Sequence, residues 1–168
     1  MSICYSDFMI ILGIDPGIAT TGVGVIEKIG SKHKLLYYGA IITAPDLSFP
    51  DRLFALSKEL RSNIETYSPD AVAVEELFFN TNVKTALTVG QARGVIILTV
   101  KQMGINAVGY TPLQVKMAVC GYGRAEKKQV QYMVQKLLNL SVIPKPDDAA
   151  DALAIAICHS HSYQPLGR

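Results

Sequence analysis

The sequence predicts an α/β fold: one mixed five-stranded sheet with helices on both faces. Three observations carry that prediction. The first third of the chain reads as consecutive extended segments joined by short turns, which makes them antiparallel neighbours. Beyond it, strand-like and helix-like segments alternate, which calls for crossover connections between parallel strands. Finally, the 168 residues contain no linker, repeat or low-complexity tract. Residues 1–168 are therefore expected to form a single domain, long enough to bury a full core.

The elements follow in order. Met9–Gly13 is a short apolar run entering a tight turn at Asp15-Pro16-Gly17, as a buried strand does. Thr21–Ile26, built from small and β-branched residues, and Leu35–Ile42 complete an antiparallel meander. Pro50 opens a helix in which Leu53, Leu56, Leu60 and Ile64 recur at helical spacing, ending near Ser68-Pro69. Ala71–Val74 is an all-apolar strand of the kind buried on both faces, with Glu75 at its C-terminal end. Residues 80–103 read as a helix with Ala86, Leu87, Val89, Ala92, Val95, Ile96 and Val100 inward. Gly90 and Gly94 cost that helix about 1 kcal/mol each relative to alanine. They imply close packing, against either the sheet or a partner subunit. Ile105–Tyr110 supplies the fifth strand, helices follow at 112–119 and 125–138, and Pro146–Ser160 is an alanine-rich helix.

Composition narrows the function classes. Hydrophobic residues make up 49% of the chain, which excludes a disordered protein. Runs such as Phe8–Leu12 and Val95–Leu98 are too short to cross a bilayer, and Asp7 and Asp15 interrupt any leader-like segment. No membrane partner is expected. Cys4, Cys120 and Cys158 are odd in number and widely spaced, which argues against a disulfide framework or zinc ribbon and for the cytoplasm. The net charge of +2, taken whole, argues against a polyanionic partner. Its distribution argues the reverse: residues 1–76 carry −4, residues 77–146 carry +8, and residues 147–168 carry −2. The basic middle is either a surface for a polyanion or a set of solvated helix faces.

Four acids stand apart from those on solvated helices and turns. Asp15 follows one buried strand and Glu75 terminates another, at the strand ends where α/β proteins assemble their sites. Asp148 and Asp151 lie three apart near the start of the last helix and share a face. Carboxylates in apolar surroundings are costly alone and repel one another together, so a cation should join them. With no His or Cys ligand set beside them, all-oxygen ligation points to Mg²⁺, with Mn²⁺ as a substitute. Two ions about 4 Å apart suit phosphodiester hydrolysis, one activating water and the other stabilising the leaving oxygen.

The motifs form an ordered set. Ile11-Leu12-Gly13-Ile14-Asp15-Pro16-Gly17 is followed by Thr21-Gly22-Val23-Gly24-Val25, then Val74-Glu75 with Phe78 and Asn82. Gly90-Gln91-Ala92-Arg93-Gly94-Val95, Val115-Lys116 and Ala125-Glu126-Lys127 come next, and Asp148-Ala149-Ala150-Asp151-Ala152-Leu153-Ala154-Ile155-Ala156 closes it. Over about residues 9–161 this resembles the RuvC family of Holliday junction endodeoxyribonucleases. The resemblance implies a ribonuclease H-like fold, a homodimer, Mg²⁺-dependent cleavage of four-way DNA junctions, and docking to a branch-migration helicase complex. It also implies that Asp15, Glu75, Asp148 and Asp151 are the catalytic, metal-holding acids. By the same match Lys116 and Lys127 lie near the scissile DNA, and Phe78 is the aromatic at the junction centre. Glu75 is followed by a second acid, Glu76, which an extended backbone would turn to the opposite side.

In the reading that follows, Asp15 bridges two ions, Glu75, Asp148 and Asp151 complete their ligand sets, and Lys116 and Lys127 neutralise charge on the phosphate. Lys84, Arg93, Arg124 and Lys128 join Phe78, Lys116 and Lys127 as expected DNA contacts. Phe79 is assigned to packing, and His159 and His161 to the C-terminal end of the last helix, where the dipole favours cations. His33, in a polar turn, carries no signal. Two rival readings are weaker. A sugar-kinase or actin-like protein also places Asp-x-Gly after its first strand, but needs a second domain around its nucleotide. A junction-binding protein with a dead site is opposed by the presence of all four acids.

Overall fold

A computed structural model describes residues 8–76 and 83–162. Three antiparallel strands come first: β1 (Phe8–Asp15), β2 (Thr20–Ile29) and β3 (Lys32–Ile42). Then follow α1 (Phe49–Tyr67), β4 (Ala71–Glu75), α2 (Val83–Gln102), β5 (Ala107–Tyr110), α3 (Pro112–Cys120), α4 (Lys127–Leu137) and α5 (Asp147–Ser162). The sheet order is β3-β2-β1-β4-β5, with β1, β4 and β5 parallel. The first strand extends two residues beyond the expected Gly13, so Asp15 belongs to the sheet itself rather than to the turn after it.

Side-chain alternation divides the interior into two cores. Leu12, Ile14, Val72 and Val74 project to one face, where Leu56, Leu60 and Ile64 of α1 and Ala92, Ile96 and Val100 of α2 cover them. Ile11 and Ala73 project to the other, under α3, α4 and α5. Ser48 caps α1, its Oγ accepting from Asp51 N at 3.3 Å, while Thr111 and Gln114 form a capping box that starts α3. On α2 the expected inner face is corrected at Leu87, which is 63% exposed. That helix carries apolar residues on nearly every side, so periodicity alone could not separate the sheet-facing stripe from an outward one.

Apart from the half-buried Asp151, helix α5 is buried from Ala149 to Ser160 and lies directly on β1 and β2. Three strand glycines make this approach possible. A Cβ on Gly13 would stand 2.7 Å from Ala156 N and strike the Ala152 carbonyl oxygen. One on Gly24 would stand 2.8 Å from Leu153 N, and one on Gly22 would strike the carbonyl of Asp148. Gly13 and Gly24 are direct partners in the ladder, and Gly22 is the partner of Asp15. Small residues on both surfaces thus bring helix main chain onto strand main chain. The far end of α5 is held by Lys28 of β2, whose Nζ donates to Ser160 O at 2.7 Å. The cation at that helix end is thus a lysine from the sheet. His159 is buried with Nδ1 2.8 Å from Tyr110 Oη, and His161 Nδ1 lies 3.2 Å from Ala118 O. His33, silent in the sequence, pairs with Ser160 Oγ at 2.6 Å; burial first, then His161 and Lys28, push it down to about 4.

Candidate active site

Asp15, Glu75, Asp148 and Asp151 meet at the end of the sheet where β1 and β4 finish. Ile14 pairs with Val74 in the parallel ladder, so Asp15 and Glu75 sit side by side one residue further on. Their neighbours Ile14 and Val74 fill the α1–α2 core, so alternation turns both acids toward α5. The first turn of α5 crosses over Gly22, which places Asp148 beside Asp15. Asp151 follows one turn later and, with Glu75, Lys116 and Lys127, lines a cavity of about 220 Å³ whose apolar wall includes Val115, Val130 and Ala154. Glu76 turns away, its carboxylate lying against Gly109 of β5, as the alternation requires.

The electrostatics bear the mark of crowded acids. Asp15 is pushed up to about 8, chiefly by burial and then by repulsion from Glu75, Asp151 and Asp148, with Lys127 opposing. Burial also raises Glu75, while a hydrogen bond from Asp15 works against the rise. Burial raises Asp151 as well, offset by its hydrogen bond with Lys127. Lys127 Nζ stands 2.9 Å from Asp151 Oδ2 and 3.8 Å from Asp147 Oδ2. The Asp151 hydrogen bond is the main reason the lysine is shifted upward. Asp147 belongs to a different arrangement, its Oδ1 2.6 Å from Lys145 Nζ at the surface.

Among the described residues, no three Asp, Glu, His or Cys side chains are gathered tightly enough to hold a metal ion as they stand. The ammonium of Lys127 lies against Asp151 at the edge of this group. The donor set nevertheless fits a hard divalent cation: it is all carboxylate oxygen, and its members resist ionising together. Asp15, Glu75, Asp148 and Asp151 are the residues that would hold such an ion.

The remaining expected contacts are dispersed. Arg124 is exposed in the loop before α4, and Lys128 lines a separate cavity of about 380 Å³ with Cys120, Tyr122 and Tyr132. The N–H of Glu126, at the start of α4, is already taken by Gln129 Oε1 at 2.8 Å. Lys84 lies in the first turn of α2, and Phe78 and Phe79 fall outside the described residues. Arg93 departs most from expectation, its Nε donating to the backbone carbonyl of Glu75 at 3.0 Å. Sequence reasoning missed that bond and the seating of α5 on Gly13, Gly22 and Gly24. The second had a signal: glycines alternating along two strands, matched by an alanine-rich helix.

A mixed sheet led by an antiparallel meander, with acids at the ends of its first and fourth strands and on its last helix, defines a ribonuclease H-like nuclease. Comparison with known proteins narrows the class. The model of the family described as "Crossover junction endodeoxyribonuclease RuvC" matches residues 11–159, and the chain belongs to this family of metal-dependent DNA-cleaving hydrolases. A relative of that same description from Ruminiclostridium cellulolyticum is 58% identical over 156 residues, 93% of this chain and 94% of the relative. The structure of Thermus thermophilus RuvC in complex with Holliday junction substrate superposes with a TM-score of 0.86 at 37% identity, covering 90% of this chain and 93% of that one. The yeast mitochondrial Holliday junction resolvase Ydc2 shares the fold, with a TM-score of 0.63 at 17% identity over 88% of this chain and 76% of that one.

Proposed function

We propose that Asp15, Glu75, Asp148 and Asp151 hold two Mg²⁺ ions, replaceable by Mn²⁺, and that a dimer of this chain resolves four-way DNA junctions by one nick in each of two opposing strands. The observation that carries the reading is the convergence of these acids from β1, β4 and α5 beside a cavity that Lys116 and Lys127 also line. When bound, the ions lower the pKa of the attacking water and stabilise the leaving oxygen. The chain's own residues do the rest. Asp15 and Glu75, held by adjacent strands, orient the ligand set, and the apolar wall limits the competing water that would weaken charge interactions. Lys127, freed from Asp151, exchanges a carboxylate for the substrate phosphate, and Lys116 approaches it from α3. Arg124 and Lys128 extend the DNA contact, with Phe78 added by the family resemblance and Lys84 by its charge.

Cleavage of a four-way junction against a linear duplex of the same sequence, with Mg²⁺ or with chelator, tests the reading. Junction-selective, Mg²⁺-dependent nicking is expected. Equal cutting of the duplex, or cutting in chelator, would overturn it. Replacing Lys127 by alanine should weaken junction binding and make the slope of log K against log salt shallower by about 0.9, the share of one phosphate contact. Binding titrations at several salt concentrations check this, and an unchanged slope removes Lys127 from the interface.

The dimer is supported by the outer face of α2. Leu87, Gln91, Gly94 and Leu98 form one exposed stripe, with the two leucines 63% and 57% exposed. Among the described residues, a Cβ on Gly94 would meet nothing within 4 Å. A glycine on an exposed helix face fits close approach by a partner subunit. Two-fold symmetry would present equivalent sites to two strands of like polarity. Leu98→Glu is expected to convert the dimer to monomer in sedimentation velocity and to replace paired cuts with single nicks. A variant that still sediments as a dimer would displace the interface from this stripe. Docking to a branch-migration helicase complex is supported by the family resemblance alone. A cytoplasmic setting is supported by the free thiols of Cys120 and Cys158.

A further inference from the structure

Arg93 lies on the flank of α2, between the buried Ala92 and Ile96 and the outward Gly94. Its guanidinium reaches the end of β4 from the α1–α2 side of the sheet, whereas the Glu75 carboxylate projects to the α5 side. Arg93 is absent from the wall of the cavity that holds Lys116, Lys127 and Asp151. A side chain so placed reaches the main chain of Glu75 and not a phosphate lying against its carboxylate.

The Glu75 main chain needs such a partner. The paired rungs between β1 and β4 end at Ile14 and Val74, so beyond that point β1 no longer fixes the strand. On the other side, Glu75 still pairs with Tyr110 and Glu76 N donates to Tyr110 O at 2.8 Å. The Glu75 carbonyl would otherwise be a strand-end acceptor. A charged donor makes a stronger bond to it than a neutral one, and the planar guanidinium fixes direction as well as distance. Ala92 and Ile96, both fully buried, anchor the helix from which the arginine extends.

We infer that Arg93 is a positioning residue: it fixes the backbone of Glu75, and through it the carboxylate, and it is not a DNA phosphate contact. The assignment rests on the reading of Glu75 as a metal ligand. It also places the outer stripe of α2 one residue away from a group that holds the active-site strand.

Arg93→Gln and Arg93→Lys, compared with the wild-type chain, test it. Arg93→Gln should slow single-turnover junction cleavage roughly 10- to 100-fold, the scale on which a small ligand displacement acts. It should raise the Mg²⁺ concentration needed for half-maximal rate. Junction affinity and its salt slope should stay at wild-type values. Without DNA, the rise in melting temperature on adding Mg²⁺ should shrink for Arg93→Gln, and Arg93→Lys, which keeps a charged donor, should recover most of both effects. Weakened junction binding with a shallower salt slope would make Arg93 a phosphate contact and overturn the inference. Wild-type cleavage and Mg²⁺ response in Arg93→Gln would overturn it too, as would failure of lysine to restore either. Should Arg93→Gln not fold, Arg93→Met, which keeps the apolar stem and removes the donor, takes its place in the same Mg²⁺ melting shift and salt slope. A wild-type chain that does not cut junctions would instead overturn the proposed function, and the Mg²⁺ melting shift would still report on Arg93.

Discussion

Asp15→Asn is expected to abolish junction cleavage, by 1000-fold or more on the scale of lost transition-state charge stabilisation, while leaving junction binding intact. The same substitution should make the metal-free protein more stable at alkaline pH. Asp15 is raised from 3.8 to about 8 in the folded chain, so between those values the folded state holds a proton that the unfolded state has released. Stability from this group is complete below the unfolded value and is lost as pH rises through about 8. An asparagine has no proton to lose. At pH 8.5 in chelator the variant should therefore melt above the wild type by roughly 10 °C or more, for a relief on the order of 5 kcal/mol. At pH 3, below both values, the two should melt together to within a degree or two, since the side chain is then neutral in the folded and the unfolded chain alike. Mg²⁺ competes with the same proton, so it should stabilise the wild type more at pH 8.5 than at pH 6, and the variant little at either. Thermal melts at these pH values, with and without Mg²⁺, check every term. A variant that cuts at the wild-type rate, or that melts below the wild type at pH 8.5, would remove Asp15 from the centre of the site.

How much of this was legible in the sequence depends on whether the information was local. Short apolar runs, turn residues and the proline positions located every strand and helix described, because each signal lies within a few residues of the element it marks. Leu87 was misplaced because α2 is apolar on two sides, one meeting the sheet and one facing outward, and the chain alone does not say which is which. The convergence of the acids was legible by a different route: strand ends and a helix start recur as site positions, and the ordered motifs singled out the same four residues. Lys127 was expected beside DNA, and its ammonium stands against Asp151. Arg93 could not have been read from the sequence. Its bond runs to a backbone carbonyl eighteen positions away, and a carbonyl is the same at every residue.

The seating of α5 links fold to chemistry, and single methyl groups should separate the two. Gly13→Ala is expected to destabilise the chain by about 3 kcal/mol or more, beyond the usual cost of overpacking, because the added carbon meets main chain. Ala156 N would be 2.7 Å away and the Ala152 carbonyl closer still, so no rotamer change can make room. Trimming Ala156 to glycine should therefore fail to rescue it, since the obstacle is the α5 backbone rather than a side chain. Gly22→Ala adds the same methyl further along the helix, against the carbonyl of Asp148. The helix can yield there by lifting its first turn, since the buried stretch from Ala149 onward remains to hold it. The cost then falls on position: Asp148 moves away from Asp15, and a displacement of about 1 Å is enough to lose 100-fold in rate. The pair should split in opposite directions, Gly13→Ala showing a low melting temperature in denaturation and Gly22→Ala a nearly folded protein with little cleavage. Equal losses of stability in both would mean that α5 moves as one rigid body and that its first turn has no freedom of its own.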